Sequence, residues 1–301
     1  MHVAPRTEVE AWMRQYQDWL CHRLEAADGS GTRFSSVESA SESGGLTCTR
    51  VLQQGAVVEK GSVVFSSVRN QMSRQPASAS TSPSPPRFGA SVRVVQHPRS
   101  PMVPISHLNL RYVEARNGDA WFGGGLDLTP IYVDERQARW FHEQLAEVCQ
   151  QHDPGYYARF KQRADEYFYL PHRRETRGVG GLCFDRLTVG RDGLFEELFA
   201  FVQDVGEVYG RTYGTLMRQN AALPYTPREQ AWQLVRRGRY AEFSLLVERA
   251  ALAGDEAEHP NALGLGLPPQ AAWPPTVPEP DSPEAHTQRH LRQGIDWLNA
   301  A

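Results

Sequence analysis

Three short segments of alternating polarity constrain the fold of this chain more than any other feature. They read SVRVVQHP from Ser91, SHLNLRYVEA from Ser106 and AWFGGGLDLTPIY from Ala120. Alternation with a period of two residues is typical of β-strands that bury one face. Asn117-Gly118 lies between the second and third segments and favours a tight hairpin turn. We therefore predict neighbouring antiparallel strands in this part of the chain.

Apolar residues at helical spacing are found on both sides of these strands. They predict helices over residues 7–27, 134–151, 154–167 and 192–220, a short helix that starts at Thr226, and one more amphipathic helix in TQRHLRQGIDWLNA. Two earlier strands are expected at residues 49–53 and 62–67, and a last strand in RYAEFSLLVER. Strands joined by hairpins, with helices grouped elsewhere in the chain, indicate an α+β fold with a mainly antiparallel sheet.

Composition and charge exclude several classes of protein. The net charge of -3 provides no long-range attraction to nucleic acid or to an anionic membrane. No apolar run approaches the roughly 20 residues that a membrane-spanning helix requires, and the first residues lack the pattern of a secretory signal. We expect a cytoplasmic protein without a membrane span. Residues 71–87 are dense in Ser, Pro and Ala and predict a surface loop within a single domain of residues 1–301.

The strand that begins at Ser106 carries the first candidate site residues. Alternation places His107, Asn109 and Arg111 on one face of the strand and the apolar residues between them on the other. A polar row of this kind is either a solvated strand face or the wall of a binding site. His107 heads the row, where a histidine could work as an acid or base.

Three consecutive glycines, Gly123 to Gly125, interrupt the next strand. Such a run suits either the close approach of a flat or bulky ligand or a β-bulge. It does not match the G-x-G-x-x-G fingerprint, and the βαβ context of a dinucleotide site is missing. Asp127 follows two residues later, on the same predicted face as Gly125, and could accept hydrogen bonds from the N–H groups of a ligand.

Two further segments, YFYLPHRRETRGVGG and RRGRY, combine arginines with aromatic residues. Guanidinium groups bind carboxylates bidentately, so the combination favours a polycarboxylate ligand with an apolar body. Binding to nucleic acid is disfavoured by the negative net charge and the lack of an extended basic stripe. Internal ion pairing, for example Arg173 with Glu175, is the structural alternative.

Four histidines lie in or beside the segments described above: His97, His107, His142 and His172. Imidazole is the commonest metal-binding side chain, so these residues could assemble a site for a divalent metal. No H-E-x-x-H motif or other tight ligand spacing ties them together. A shared metal site therefore stays one of several interpretations of these histidines.

Together, several long motifs resemble the oxygen-dependent coproporphyrinogen III oxidase family, closely over residues 88–249 and loosely in the flanks. They read HPRSPMVPISHLNLRY, WFGGGLDLTPIY, ARWFHEQLAEVC, DEYFYLPHRRETRGVGGLCFD and WQLVRRGRYAEFSLLVER. The resemblance implies a large flat sheet flanked by helices on both sides and a homodimer. It also implies oxidative decarboxylation of coproporphyrinogen III, or a related polycarboxylate tetrapyrrole, to protoporphyrinogen IX in haem biosynthesis. O2 would be a co-substrate, and no organic cofactor is implied.

The resemblance also implies roles for particular residues, carried over by position. The residues implied in catalysis are His107, Asp127, Glu248 and Arg249. Those implied in substrate binding are Asn109, Leu110, Arg111, Arg177 and Arg239. Bacterial members of the family are proposed to bind a metal through histidines that match His97, His107, His142 and His172, whereas many members are thought to need none.

The chain departs from the family pattern in its C-terminal third. Ser244 stands where the family has Asn, Glu248 stands where it has Asp, and the loop DEAEHPNALGLGLPP lacks a Gly-Gly-Arg carboxylate contact. Arg93 also replaces a common serine. These departures motivate an alternative, a catalytically impaired or altered tetrapyrrole-binding paralogue. A hydrolase that uses a histidine-bound metal is a third hypothesis.

Overall fold

The computed structural model describes residues 5–40, 44–69, 87–248, 262–275 and 278–299. Its central element is a seven-stranded sheet in the order β1-β2-β3-β4-β5-β6-β9, and every pairing in it is antiparallel. Its strands are β1 (Ser35–Ala40), β2 (Leu46–Gln53), β3 (Val58–Arg69), β4 (Phe88–Pro98), β5 (Ile105–Glu114), β6 (Ala120–Thr129) and β9 (Gly180–Thr188). Two short strands, β7 (Tyr169–Leu170) and β8 (Glu175–Thr176), form a separate pair.

The described helices lie before the sheet strands, after β6 and after β9. They are α1 (Pro5–Asp28), α2 (Glu135–His152), α3 (Tyr156–Tyr167), α4 (Phe195–Asn220), α5 (Pro227–Phe243), α6 (Ala262–Gly266) and α7 (Pro283–Arg289). The α2 helix begins where Asp134 accepts hydrogen bonds from the backbone of Arg136 and Gln137. Helices and an antiparallel sheet in these positions confirm the predicted α+β fold.

One face of the sheet is apolar and forms the main core. The register places Val63, Val94, Leu108, Leu126 and Leu182 in one row across five strands, and all five are buried. Helices α1 and α4 pack against this face. Burial of a side chain of this size contributes roughly 1.5–3 kcal/mol, so the row holds the sheet firmly against the two helices.

The opposite face of the sheet carries polar and small residues. The register aligns Ser62, Val95, His107, Asp127 and Gly181 across the same five strands. Helix α5 covers part of this face, where its buried Tyr240 forms a cluster with Val95. Helix α6 packs against β3 and β4. Helices therefore lie on both faces of the sheet, as expected.

Two predictions near the C-terminus are wrong. RYAEFSLLVER is helical as far as Phe243 and then forms one π-helical turn, Ser244–Glu248. Arg236 and Tyr240 are one helical turn apart and are both buried against distant parts of the chain, and these contacts outweigh the β-propensity of the segment. The predicted last helix ends at Arg289, and Gly294 adopts a φ of +77° that no right-handed helix allows.

The hydrophilic strand β1 was not predicted from the sequence, and all six of its residues are exposed. The predicted surface loop at residues 71–87 lies outside the described residues except for Arg87. Among the described helices, none is both long enough and apolar enough to cross a membrane.

Candidate active site

The register of β5 and β6 brings two of the predicted catalytic residues together. His107 and Asp127 are direct cross-strand partners, so their side chains lie on the same face of the sheet. His107 Nδ1 lies 3.2 Å from Asp127 Oδ1. Since a carboxylate can only accept hydrogen bonds, Asp127 favours a proton on Nδ1, and Nε2 lies on the side of the ring away from this contact.

Arg177 completes the cluster from the turn that follows β8. Its Nε lies 3.2 Å from Asp127 Oδ2 and its terminal nitrogen 2.5 Å from Oδ1, which is bidentate geometry. The guanidinium also lies 4.4–4.6 Å from the ring centroids of Phe168, Tyr240 and Phe243. Aromatic faces stabilise a cation that is withdrawn from water. We call His107, Asp127 and Arg177 the buried triad.

Electrostatics decide the charge of Asp127. Burial alone would raise the pKa of this carboxyl group, but the charge of Arg177 and the hydrogen bonds from His107 and Arg177 more than offset that effect. The pKa of Asp127 is therefore lowered from its ordinary value, and the residue is a carboxylate at neutral pH. Of the triad, His107 is the most accessible, at 6% exposed against 1% for Asp127 and 0% for Arg177.

The glycine run lies beside the triad and is required by tight backbone packing. A Cβ at Gly125 would lie 2.8 Å from the backbone oxygen of Leu182, and one at Gly124 would lie 2.6 Å from that of Asn109. The pairing of β6 with β9 is also irregular between Phe122 and Gly124. Between the pairs that these two residues form, β6 advances two residues and β9 advances three, so the extra residue lies on β9 and not in the glycine run. Close approach of a ligand to the glycines stays a prediction.

The side chain of Arg111 lies over the glycine run. A Cβ at Gly123 would lie 2.7 Å from Arg111 Nε, so the glycine leaves the space that the arginine side chain fills. Beyond it, the Arg111 guanidinium lies 2.6 Å from Asp185, and the two side chains are 42% and 47% exposed. Ion pairs with this exposure are weak and exchange readily, so Arg111 can leave Asp185 for another carboxylate.

The remaining residues predicted to bind substrate differ in position. Asn109 is half-buried on the same face as His107. The Leu110 side chain is fully buried in the core on the opposite face, so only its backbone can contact a ligand on the triad face. Arg239 lies 3.5 Å from Glu175 and 3.3 Å from Glu242, in an internal ion-pair network.

Two predicted catalytic residues are described incompletely or not at all. Glu248 is the last residue of the π-helical turn, but its side chain is outside the described part of the structure. Arg249 lies outside the described residues. Their predicted roles therefore stay predictions.

The four histidines predicted to share a metal make separate contacts. His97 Nε2 lies 2.9 Å from the Gly266 oxygen, and His172 lies on an exposed turn with its Nε2 3.0 Å from Glu242. The two ring nitrogens of His142 lie 3.0 Å from the Tyr157 hydroxyl and 3.0 Å from the Val179 oxygen. Each ring thus has its own partners, and none of the four histidines belongs to the set of side chains with metal-binding distances in the described residues. A shared site on His97, His107, His142 and His172 therefore stays a prediction.

Burial explains the protonation of two of these histidines. It lowers the pKa of His97 to about 3 and that of His142 to about 3, against the weaker opposing effect of hydrogen bonds that backbone oxygens accept from the rings. Both rings are therefore neutral at neutral pH and serve as buried hydrogen-bonding groups. In the described part of the chain, the one set of three side chains with metal-binding distances is Glu135, His286 and His290.

The sequence indicated some members of the site and missed others. Arg177 was expected to bind substrate, whereas the structure pairs it with Asp127. The aromatic residues around Arg177 were not predicted as site residues. Tyr240 and Phe243 are three residues apart, which is helical spacing, but the segment was interpreted as a strand, and that interpretation put them on opposite faces.

A comparison with protein families gives one match. The family model described as coproporphyrinogen III oxidase matches residues 8–297 of this chain. The matched range contains every described strand, the buried triad and the glycine run.

Proposed function

The chain belongs to the coproporphyrinogen III oxidase family, and we propose that it converts coproporphyrinogen III to protoporphyrinogen IX with O2 as the electron acceptor. In each of two turnovers, a propionate group, O2 and one proton would give a vinyl group, CO2 and H2O2. The hydrogen next to the pyrrole ring leaves with its electron pair and reduces O2. The electron pair of the bond to the carboxylate becomes the second bond of the vinyl group.

The observation that carries this proposal is the buried triad beside the glycine run, Gly123 to Gly125. A buried carboxylate held ionised by an arginine gives the site a fixed ion pair, next to a strip of sheet without side chains. The four pyrrole N–H groups of a porphyrinogen are donors that need hydrogen-bond acceptors in such a site. An electron-rich pyrrole can itself supply electrons to O2, so the residues need to bind, orient and handle protons.

Asp127 is unsuited to take a proton directly from the substrate. Its oxygens already accept from Arg177 and His107, and the Thr129 hydroxyl lies 3.4 Å from Oδ2. We assign the proton-handling role to His107 Nε2, since Asp127 holds the opposite ring nitrogen and would stabilise a protonated ring. In this proposal Asp127 orients His107 and balances its charge.

Arg111 is the residue we propose to anchor a carboxylate of the substrate. It lies on the same face as His107, four residues along β5, and its present partner Asp185 is exposed. Guanidinium groups hold carboxylates in a fixed orientation. An anchored propionate would set which side chain of the ring lies beside the triad.

An impaired or altered tetrapyrrole-binding paralogue is the second candidate. It is favoured by Ser244, which is buried where the family has Asn, and by the altered loop from Asp255. Such a protein would bind coproporphyrin and convert none of it.

A homodimer and a cytoplasmic location belong to the first proposal and stay predictions. Sedimentation analysis tests the dimer.

Turnover in air and under argon tests the proposed function. Purified protein is incubated with freshly reduced coproporphyrinogen III, and porphyrins are separated and measured by fluorescence after reoxidation. We expect protoporphyrin in air, none under argon, and unchanged yield after treatment with a chelator. Saturable binding of coproporphyrin without protoporphyrin in either gas would support the paralogue instead.

A further inference from the structure

A cluster of three side chains lies where the C-terminal segment meets the start of α2. Glu135 is the first residue of α2, His286 lies in α7, and His290 caps the C-terminal end of α7. The two histidines are one helical turn apart, so their rings lie on the same side of the helix, with centroids 4.5 Å apart. We call these three residues the His–Glu cluster. It shares no residue with the buried triad.

The spacing of the ligand atoms in the His–Glu cluster matches a tetrahedral metal site. His286 Nε2 lies 3.3 Å from Glu135 Oε1 and His290 Nε2 lies 3.2 Å from the same oxygen. A tetrahedral ion with bonds of about 2.0–2.1 Å places neighbouring ligand atoms about 3.3 Å apart. Hydrogen bonds from N–H to oxygen are usually about 2.9–3.0 Å long. The observed distances match the edge of a coordination tetrahedron and lie at the upper end of the range of hydrogen-bond lengths.

The tautomer of His290 supports the same interpretation. Its Nδ1 lies 2.9 Å from the His286 backbone oxygen, and a carbonyl oxygen only accepts, so Nδ1 carries a proton. In a neutral ring Nε2 then presents a lone pair to the Glu135 carboxylate, and two acceptors at this distance repel each other. A positive charge between them removes the repulsion. A backbone carbonyl that orients the far ring nitrogen is also the usual second contact of a metal-binding histidine.

We propose that Glu135, His286 and His290 bind one divalent transition-metal ion, with Zn2+ as the best match and water as the fourth ligand. Two imidazoles and one carboxylate are borderline donors that suit Zn2+ better than Mg2+ or Ca2+. The carboxylate offsets half of the charge of the ion. The ion would be structural, because it joins α2 to α7.

Neighbouring hydrogen bonds show which elements of the fold the ion would connect. The Thr287 hydroxyl accepts a hydrogen bond of 3.0 Å from the Val133 backbone, and the Tyr132 hydroxyl donates one of 2.8 Å to Glu284. These contacts already dock α7 on the turn between β6 and α2. A metal in the His–Glu cluster would fasten the same junction, so removal of the metal should loosen the C-terminal segment.

Metal titration of an untagged, chelator-treated protein tests this site. We expect Zn2+ to bind with one ion per chain in isothermal titration calorimetry, and Co2+ to give the intense visible bands of four-coordinate cobalt. Loss of one ligand in His290→Asn or Glu135→Gln should weaken Zn2+ binding by roughly tenfold or more. The matched control is His22→Asn, since His22 is a histidine on α1 whose side chain is 77% exposed, and it should bind as the native chain does.

Two results would overturn the proposal. One is Zn2+ binding that is equally tight in the native chain and in His290→Asn, with both folded by circular dichroism. The other is a weak, six-coordinate Co2+ spectrum in the native chain, which would mean that the His–Glu cluster does not hold the ion in a tetrahedral site. The second measurement needs no variant, so it decides the matter even where a substitution prevents folding.

Discussion

Asp127 and Arg177 form a bidentate ion pair in which both side chains are withdrawn from solvent and the guanidinium is enclosed by three aromatic rings. A pair of this kind costs desolvation on both sides, and removal of one partner leaves the other as an uncompensated buried charge. The pair therefore explains both the ionised state of Asp127 and the position of its oxygens against His107.

The first prediction concerns removal of the cation. Arg177→Met should lower the free energy of unfolding by about 3–5 kcal/mol, because Asp127 is left buried without a counter-charge. The double variant Arg177→Met, Asp127→Asn should recover part of that loss. Urea unfolding measures both. The control is Arg191→Met, since Arg191 pairs with Asp192 on the surface. Its replacement should lower the free energy of unfolding by less than about 1 kcal/mol. Equal losses of stability in Arg177→Met and Arg191→Met would contradict the structure.

A second prediction concerns stability in acid. Burial would raise the pKa of Glu242, but hydrogen bonds from Arg173 and His172 and the nearby arginine charges lower it from 4.5 to about 2. Because the folded-state pKa is below the ordinary value, the stabilisation is complete above about pH 4.5 and is lost as the pH falls towards 2. Glu242→Gln should therefore show a shallower loss of stability across this window.

Thermal unfolding at a series of pH values from 2 to 7 measures this effect. Glu143→Gln is the matched control, because Glu143 pairs with Arg139 on the exposed side of α2. This variant should show the same slope of stability against pH as the native chain. A slope in Glu242→Gln that equals the native slope below pH 4.5 would show that the Glu242 ion pairs contribute nothing.

A third prediction tests the proton-handling role of His107. His107→Gln should lower kcat for coproporphyrinogen III by roughly 10²–10⁴, the usual contribution of a general acid or base, and leave KM almost unchanged. Steady-state kinetics in air give both constants, and binding of coproporphyrin reports whether the pocket is intact. His22→Asn again provides a surface control. A kcat within twofold of the native value would remove His107 from the proposed mechanism.

A fourth prediction separates substrate binding from chemistry. Arg111→Met should raise KM by roughly 10–150-fold, the equivalent of about 1.5–3 kcal/mol for a hydrogen bond to a charged group, with a smaller effect on kcat. Asp185→Asn frees Arg111 from its present partner, so KM should stay the same or fall. The same kinetic assay measures both variants, and an unchanged KM in Arg111→Met would assign the carboxylate anchor to another residue.

Local patterns in the sequence predicted the scaffold of the site correctly. Alternation along β5 was enough to place His107 and Arg111 on one face, because a strand has a fixed period of two residues. The cross-strand pair of His107 with Asp127 depends on register, which the Asn117-Gly118 hairpin sets locally. These relationships connect residues that are near one another in the sequence.

The parts that could not be predicted depend on contacts between distant segments. Arg177 reaches Asp127 across 50 residues of chain, and no pattern in the sequence reports that distance. Tyr240 lies in a segment with strong β-propensity, yet it is helical because burial against His97 and Arg177 favours a helix. The partners of the four histidines also lie in distant segments, for example Gly266 for His97 and Glu242 for His172, so the sequence alone could not predict them.

The most direct test of the proposed function is the stoichiometry of the complete reaction. O2 uptake, CO2 release and protoporphyrinogen IX formation are measured together in one sealed vessel, with catalase absent so that H2O2 is also retained. We predict two molecules each of O2 consumed, CO2 released and H2O2 formed for every protoporphyrinogen IX. Formation of protoporphyrinogen IX without O2 uptake, or coproporphyrin binding without CO2 release, would contradict oxidative decarboxylation at this site.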